Sequence, residues 1–358
     1  MKVQQFIKSV KAIVQQLSLK FEQFYYICVY NREHKLYSQF KLNKQQIAEI
    51  DAVYKRFKKI KHFSHAFYTD KTGIFSPYYI PDGLHYAYID HYFNDWKKGK
   101  IMDNKCEYYK MFPDIPQPET VCYRVNGIWF DSQHCPHGIT PPYQQIGKYD
   151  KVFVKAATDS SGGSGVKLIM VKYLDKDAID EQLIPFTGDV IIQVPIKQSS
   201  TMARLHPSSV NTLRIISLLD RNGQVKIYSS IVRMGVGDAV VDNASSGGIT
   251  CGVDLDGRLK PVAYSAKGDK FDVHPTTKIH FDEIVVPNFE AAKKLVQQAH
   301  LMIPHFRLVS WDIAFDKKDQ PLLLEANLHY GELDFHQLNN GPIFGDDTIK
   351  ILEEVFSK

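Results

Sequence analysis

Residues 308 to 327 constrain the fold more than any other part of this sequence. They read LVSWDIAF, then the polar segment DKKDQ, then PLLLEAN, and two short apolar runs around a polar turn predict a β-hairpin. A four-residue loop would pair Asp316 with Pro321, and therefore Asp312 with Glu325. The two carboxylates would then lie opposite each other, with their Cβ atoms about 5 Å apart.

Side chains alternate between the two faces of a strand. On the first strand, alternation predicts one face with Val309, Trp311, Ile313 and Phe315, and the other with Ser310, Asp312 and Ala314. On the second strand, it predicts one face with Leu322, Leu324 and Ala326, and the other with Leu323, Glu325 and Asn327. Two adjacent carboxylates repel each other unless a positive charge lies between them. A hard divalent cation fits this need, because Asp, Glu and Asn supply oxygen ligands. The alternative is an edge hairpin whose carboxylates face water, which is the usual location of acidic side chains.

The composition is that of an ordinary folded protein. The chain has 358 residues, of which 44% are hydrophobic, and this is enough for two or three domains with their own cores. No stretch approaches the roughly 18 apolar residues of a membrane span. The five cysteines are scattered and include no CxxC pair, so neither a disulfide framework nor a zinc knuckle is indicated.

Positive charge is concentrated near the N-terminus. The first 61 residues contain 13 Lys or Arg and 4 Asp or Glu. Such a segment could meet nucleic acid or acidic lipid, although a solvated basic helix face is the commoner outcome. An amphipathic helix, rather than a signal peptide, is predicted by the spacing of Phe6, Val10, Ile13, Val14 and Leu17.

A glycine-rich loop lies between two predicted strands in KVFVKAATDSSGGSGVKLIMVKY, residues 151–173. Lys155 projects from the first strand on the face opposite Val152 and Val154. The glycines of the loop allow backbone N–H groups to approach a ligand, which is one way of holding phosphate oxygens. No Walker pattern opens a helix here, and the alternative is a plain hairpin turn.

Further cationic side chains occur on predicted strands and at one helix start. Arg214 lies on one strand and Arg233 on the strand that pairs with it, so together they could clamp a phosphate or carboxylate group. Surface ion pairing is the alternative. Asp103 or Asn104 can cap a short helix with Lys105 in its first turn, where the helix dipole disfavours a cation that has no anionic partner.

The order of these segments resembles the ATP-grasp superfamily. A lysine follows Asp-Asn, a strand lysine precedes a glycine-rich hairpin, the buried strand DVIIQVPI ends at a proline, and paired arginines precede the Asp and Glu-x-Asn hairpin. The segments HPSSVNTLRI, VDN…GGI, WDIAFD…PLLLEAN and GELDFHQ more closely resemble the sugar-transfer-associated ATP-grasp subfamily, found among polysaccharide and cell-envelope biosynthesis genes. The resemblance extends from about Asp103 to the C-terminus.

The resemblance implies an α+β protein, with an ATP-grasp fold of two α+β lobes that grip a nucleotide after a mostly helical N-terminal region. We expect a helical, basic and aromatic-rich region over residues 1–100. A first lobe with the lid hairpin would cover 101–196, and a second lobe with the metal-binding hairpin 197–358. The family's usual N-terminal Rossmann-like domain is not visible, and Val194 replaces its acidic hinge residue, so ribose contact and acceptor binding stay open.

The resemblance also implies a set of site residues. Catalytic roles would belong to Arg214, Arg233 and Lys155. The nucleotide would be bound by Lys105, Lys155, Ser161, Gly162, Gly163, Ser164, Gly165, Gln193, Val194 and Ile196. The metal ligands would be Asp312, Glu325 and Asn327, holding Mg²⁺ or, in its place, Mn²⁺.

The activity implied is that of an ATP-dependent carboxylate–amine ligase. It would form an acyl phosphate and pass the acyl group to an amine or other nucleophile in polysaccharide or cell-envelope biosynthesis. Its substrates would be small or glycan-linked carboxylates and amines, not nucleic acid. A phosphotransferase and a nucleotide-binding scaffold of a membrane-associated glycan pathway are the alternatives. We expect a cytoplasmic protein whose basic N-terminus could contact the inner membrane face, and the sequence predicts no oligomeric state.

Overall fold

The computed structural model describes residues 2–158, 165–239, 242 and 247–357. It combines helices with two antiparallel sheets, so the predicted α+β class is confirmed. The strands are β1 (Thr120–Val125), β2 (Ile128–Asp131), β3 (Pro136–Gly138), β4 (Val152–Ala156), β5 (Val166–Ile169), β6 (Val190–Gln193), β7 (Thr212–Leu219), β8 (Val225–Met234), β9 (Ile249–Val253), β10 (Leu259–Tyr264), β11 (Lys270–Phe271), β12 (Leu308–Phe315) and β13 (Pro321–Asn327).

Helices dominate the first hundred residues, as predicted for the N-terminal region. The α-helices are α1 (Lys2–Tyr37), α2 (Lys44–Tyr54), α3 (Phe63–Thr72), α4 (Asp82–Leu84), α5 (Asp90–Phe93), α6 (Trp96–Met102), α7 (Tyr108–Met111), α8 (Tyr143–Ile146), α9 (Lys176–Leu183), α10 (Ser200–Leu205), α11 (Phe289–Met302), α12 (Leu333–Asn340) and α13 (Thr348–Phe356). A π-helical turn joins α4 to α5, and 3₁₀ turns cover Lys105–Glu107, Val171–Tyr173, Phe281–Glu283 and Gly345–Asp347. Among the described residues, no helix combines the length and apolar character needed to cross a membrane.

The chain divides into two compact units. The helical unit comprises Met1–Asn94, Lys267–Asp269 and Glu332–Lys358, and the sheet unit comprises Asp95–Ala266 and Lys270–Gly331. The lobe boundaries that the sequence places after residues 100 and 196 stay predictions.

An aromatic core holds the helical unit together. On α1, the ring of Tyr30 stacks on Tyr86 at 4.9 Å and the ring of His34 stacks on Phe67 at 4.5 Å, measured between centroids. The C-terminal α12 joins this core through Gln337, whose side-chain amide bonds both backbone groups of Ile80 at 2.8 Å. Residues far apart in the sequence therefore complete one core.

An acidic pair lies within the same unit. Asp82 is fully buried and accepts hydrogen bonds from the Tyr68 hydroxyl at 2.8 and 2.9 Å, and its Oδ2 lies 3.2 Å from Nε2 of His34. Burial raises the pKa of Asp82, and the charge of Asp334 raises it further. Burial, followed by the charge of Glu332, raises the pKa of Asp334 to about 7. Burial of acidic groups in this way favours their protonated forms.

Two sheets form the sheet unit. The six-stranded sheet has the order β3-β2-β1-β6-β4-β5, and the seven-stranded sheet has the order β11-β10-β9-β8-β7-β12-β13. Val152, Val154 and Ile192 belong to the core of the first sheet. On β12, the residues predicted to share a face (Val309, Trp311, Ile313 and Phe315) all belong to the core of the second.

The predicted β12–β13 hairpin is present, and Asp312 pairs with Glu325 as expected. Pro321, however, pairs with Phe315 rather than with Asp316. The loop is shorter because the Asp316 N–H bonds the carbonyl of Gln320 at 3.0 Å, while its carboxylate accepts the Gln320 N–H at 2.9 Å. The turn that the Asp316 side chain closes therefore decides the register at the tip.

A β-bulge corrects the register before the two carboxylates are reached. Pairing shifts between Ile313 and Asp312, which leaves Leu324 as the extra residue on β13. The buried side chains of β13 consequently include Leu323 and Ala326, at 0% and 3% exposure, whereas Leu322 and Leu324 are half-buried. The predicted face of Leu322, Leu324 and Ala326 was wrong, because a bulge interrupts strict alternation.

Candidate functional site

Asp312 is the centre of a buried ion cluster. Because β7 pairs with β12, Arg214 lies directly opposite Asp312. Arg214 donates from Nε and Nη2 to the two carboxylate oxygens, each at 2.7 Å, and Arg233 donates from Nη1 to Oδ2 at 3.1 Å. Burial raises the pKa of Asp312, but the charges of Arg214 and Arg233 outweigh it and lower this pKa to about 2. The carboxylate is therefore ionised at neutral pH.

Arg233 has donor capacity that the described residues leave unused. Its side chain is 5% exposed on β8, and its Nε is buried without a hydrogen-bond acceptor in the described part of the chain. A buried charged donor without an acceptor is costly. The arrangement therefore fits an anionic ligand that would accept this hydrogen bond.

Asp242 lies beside the arginine pair, and the sequence analysis did not predict it as a site residue. The Thr212 hydroxyl donates to its carboxylate, and Thr212 pairs with Arg233 across β7 and β8. Burial raises the pKa of Asp242, while the charge of Arg233 lowers it. The available signal was its position in the VDN segment that the family resemblance already included.

Lys105 connects the two sheets. Its ammonium donates to Oε1 of Glu325 on β13 at 2.8 Å, and its backbone N–H donates at 3.0 Å to the carbonyl of Ala157, just after β4. Asn104 caps this turn by accepting the Cys106 N–H at 2.9 Å. Glu325 is thus the anionic partner that the helix dipole argument required.

Lys155 lies on the six-stranded sheet within the electrostatic field of this pair. Its ammonium donates to Oε1 of Gln193 on the neighbouring β6 at 2.9 Å. Burial, followed by the positive charge of Lys105, lowers the pKa of Lys155 to about 8, and the negative charge of Glu325 opposes this change. The two predicted phosphate-binding lysines are therefore close enough for the charge of Lys105 to disfavour the protonated form of Lys155.

The predicted adenine-binding segment follows β6. The Val194 N–H donates to the carbonyl of Glu119 at 2.9 Å, so this donor is already committed to the protein. Val194 and Ile196 are both half-buried. If the segment meets an adenine edge, it would use backbone groups other than that N–H.

The predicted lid is described only at its C-terminal end. Ser161, Gly162, Gly163 and Ser164 lie outside the described residues. Gly165 has a φ of 80°, and its carbonyl accepts the Ala156 N–H at 2.8 Å. A positive φ strains residues that carry a Cβ, which explains a glycine at this point of the β4–β5 hairpin.

The three predicted metal ligands lie together at the hairpin. Asn327 pairs with Ser310 and donates its amide N–H to the Ser310 carbonyl at 3.1 Å, which leaves its amide oxygen as a further acceptor. All three side chains supply the oxygen donors that Mg²⁺ prefers. Among the described residues, no group of three or more His, Cys, Asp or Glu is arranged for a metal. The residues fit Mg²⁺ by donor type, with Asp312 and Glu325 neutralised by Arg and Lys.

Comparison with known proteins identifies one family. The protein-family model described as sugar-transfer associated ATP-grasp matches residues 85–350. No curated protein matches the sequence.

Among solved structures, D-alanyl-alanine synthetase A from Vibrio cholerae is similar at 16% identity and a TM-score of 0.39, over 75% of this chain and 66% of that one. The biotin carboxylase domain of a Hydrogenobacter thermophilus 2-oxoglutarate carboxylase, in complex with MgADP, ADP and bicarbonate, is similar at 16% identity and a TM-score of 0.39. That match covers 73% of this chain and 47% of the other. The ATP-grasp ligase PsnB complexed with its minimal precursor is similar at 13% identity and a TM-score of 0.42, over 73% of this chain and 64% of that one. The chain thus spans between about half and two thirds of the length of these proteins.

Proposed function

This chain belongs to the sugar-transfer associated ATP-grasp family, and from that premise we propose that it is an ATP-dependent carboxylate–amine ligase. Its products would be ADP, phosphate and an amide or related acyl compound. The substrates would be small-molecule or glycan-linked acids and nucleophiles used in polysaccharide or cell-envelope biosynthesis.

The observation that carries the proposal is the buried Nε–H donor of Arg233. Arg214 and Arg233 both donate to the carboxylate of Asp312, and within the described part of the chain Nε of Arg233 is buried without an acceptor. A buried, positively charged N–H donor without an acceptor is costly, so this position favours an anionic acceptor. A phosphoryl group supplies both the negative charge and the acceptor oxygens that such a place favours.

The proposed reaction has two steps. A carboxylate oxygen of the first substrate attacks the γ-phosphorus of ATP, the bond to the bridging oxygen breaks, and ADP leaves with that electron pair. The nucleophile's nitrogen then attacks the acyl carbon and phosphate leaves, while the nitrogen loses a proton. Arg214 and Arg233 would neutralise charge on the transferred group, and Lys105 and Lys155 would hold the other phosphates.

The remaining predicted residues would complete nucleotide binding. Gln193, Val194 and Ile196 would contact the adenine side, and the loop that ends at Gly165 would cover the phosphates. Asp312, Glu325 and Asn327 would hold Mg²⁺, which supplies charge neutralisation at the β- and γ-phosphates when bound. Lys105 would then exchange its bond to Glu325 for a phosphate oxygen.

Turnover by the full-length chain tests this function. ADP and free phosphate would be measured with ATP, Mg²⁺ and a panel of carboxylates and amines, including sugar-linked ones. Hydroxylamine would trap an acyl phosphate as a hydroxamate. We expect Glu325→Gln to lower turnover by about 10²- to 10³-fold, since it removes a charged group from the phosphate site.

Glu290→Gln is the matched control, because Glu290 is exposed on α11, and it should retain full turnover. A phosphorylated product without free phosphate would replace the ligase proposal with a phosphotransferase. A chain that binds no ATP at millimolar Mg²⁺ would disprove both.

A further inference from the structure

Helix α1 has an apolar stripe that faces away from its own unit. Val14, Leu17, Phe21 and Phe24 are 58%, 61%, 72% and 65% exposed. Their spacing of three, four and three residues places them on one side of the helix. Four large apolar side chains in an unbroken exposed row are unusual for a surface helix.

The opposite side of α1 explains why the stripe is exposed. Tyr26, Tyr30 and His34 pack inward against aromatic rings of the helical unit. These residues repeat at four-residue intervals, so they form the face of α1 that packs against the core of the helical unit. The outward stripe is therefore a second apolar face, in addition to the one that the core uses.

The charges beside the stripe are positive. Lys20 is exposed and lies one turn from both Leu17 and Phe24, and residues 1–21 contain four lysines but no Asp or Glu. The acidic Glu22 instead approaches His91 of the helical unit at 4.0 Å. The outward face thus combines aromatic and aliphatic side chains with lysine, and its complement is an apolar surface with negative charge at its edge.

A second copy of the chain fits this face less well. Helices that pair through a seam repeating every three or four residues usually place opposite charges beside it, whereas Lys20 would meet a like charge. Tyr25, at 54% exposure, widens the apolar face beyond a narrow seam. A lipid bilayer with anionic headgroups satisfies both the width and the charge.

We propose that α1 docks the protein on anionic lipid bilayers, with Val14, Leu17, Phe21 and Phe24 entering the headgroup boundary and lysines contacting the phosphates. The helix lies along the surface and does not cross it. This inference goes beyond the ligase activity, and it holds or fails independently of turnover.

Flotation of the full-length protein with lipid vesicles tests the inference. We expect the chain to float with phosphatidylglycerol vesicles but not with phosphatidylcholine vesicles, and to bind less as salt screens the lysines. The double variant Phe21→Ser, Phe24→Ser should bind at least tenfold more weakly. Both sites are exposed, so unfolding midpoints should match the wild type.

The double variant Tyr173→Ser, Leu255→Ser is the control, because these side chains are 78% and 94% exposed on the sheet unit, and it should float like the wild type. As a second readout, Phe24→Trp should give a blue-shifted emission when phosphatidylglycerol vesicles are added. A wild type that fails to float, or a Phe21, Phe24 variant that floats equally well, overturns the proposal. So does a lipid-free dimer that this variant dissociates while vesicles bind neither protein.

Discussion

Burial of Lys155 should make nucleotide binding depend on pH. Its pKa is lowered to about 8 by burial and by the nearby Lys105, so the ammonium loses its proton within an accessible pH range. The protonated form is the one that can bind phosphate oxygens, and a ligand that prefers it must bind more weakly as pH rises.

We therefore predict that nucleotide affinity falls as pH rises through about 8, approaching about tenfold per pH unit above it. Lys155→Arg should flatten this profile because arginine stays protonated. Equilibrium binding of a non-hydrolysable ATP analogue between pH 7 and 9.5 measures the pH dependence of affinity for the wild type and for Lys155→Arg. The exposed Lys197→Arg should retain the wild-type slope, and equal slopes in all three proteins would contradict the assignment.

For single residues, the sequence predicted which side chains form the site better than it predicted their hydrogen-bond partners. Arg214 and Arg233 were expected on paired strands, and they are. Both grip Asp312, which comes 98 and 79 residues later. Alternation along a strand says which side chains share a face, but it does not say which strand will become the neighbour of β7.

Among the elements, β12 is joined to its neighbours by a buried hydrogen-bonded chain. Trp311 donates its indole N–H to the Ser217 hydroxyl of β7 at 2.8 Å, and that hydroxyl lies 2.7 Å from Nδ1 of His300 on α11. Burial lowers the pKa of His300 to about 4, so its ring is neutral. Because Nε2 of the neutral His300 ring donates to the Phe306 carbonyl, its Nδ1 is the acceptor for the Ser217 hydroxyl.

Ser217→Ala should destabilise the sheet unit by about 1–3 kcal/mol, because it leaves a buried indole N–H and an imidazole nitrogen without partners. Tryptophan fluorescence during urea unfolding measures the change. Ser208→Ala, at an exposed serine, should alter stability by less than about 0.5 kcal/mol. Equal midpoints for Ser217→Ala and the wild type would show that water replaces the hydroxyl.

The hairpin shows how far element-level reasoning extends. Hydrophobic patterning predicted both strands and the Asp312–Glu325 pair, but not the shorter loop or the bulge at Leu324. The shorter loop and the bulge each shift the register by one residue in opposite directions, so the predicted Asp312–Glu325 pair is still correct. The bulge brings both Leu323 and Ala326 into the core, and that requirement arises from tertiary packing, which a local pattern does not contain.

For the whole molecule, the two units should respond differently to pH. Asp334 has a pKa of about 7 in the helical unit, against about 3.9 in an unfolded chain. Between these values the folded form holds a proton that the unfolded form releases. The contribution of Asp334 to the stability of the helical unit is therefore full below about pH 4 and declines as pH rises to about 7.

Asp334→Asn should remove much of this decline and make the helical unit more stable at pH 8. Tryptophans occur at positions 96, 129 and 311, all within the sheet unit, so amide hydrogen exchange in α3 and α12 is the suitable measurement. Asp346→Asn, at an exposed site, should leave the profile unchanged. Exchange rates in Asp334→Asn that still rise with pH beyond the intrinsic rate would refute the linkage.

Sequence patterns did not foresee how the chain's two ends combine. Residues 332–358 join the helical unit, where Gln337 bonds Ile80 across 257 positions. Helical periodicity predicted that the N-terminal helix is amphipathic. It could not say which helices would share a core, because many apolar faces are compatible with one another.

If Asp312 and Glu325 hold Mg²⁺ in a ligase reaction as proposed, the ion pairs around them impose an order of addition. A divalent ion that arrives alone must compete with an ammonium group for one carboxylate and with two guanidinium groups for the other. A nucleotide that arrives already chelated offers those cations new anionic partners and releases both acids in the same step. Binding should therefore begin with the chelate, and the acid to be activated should enter only afterwards.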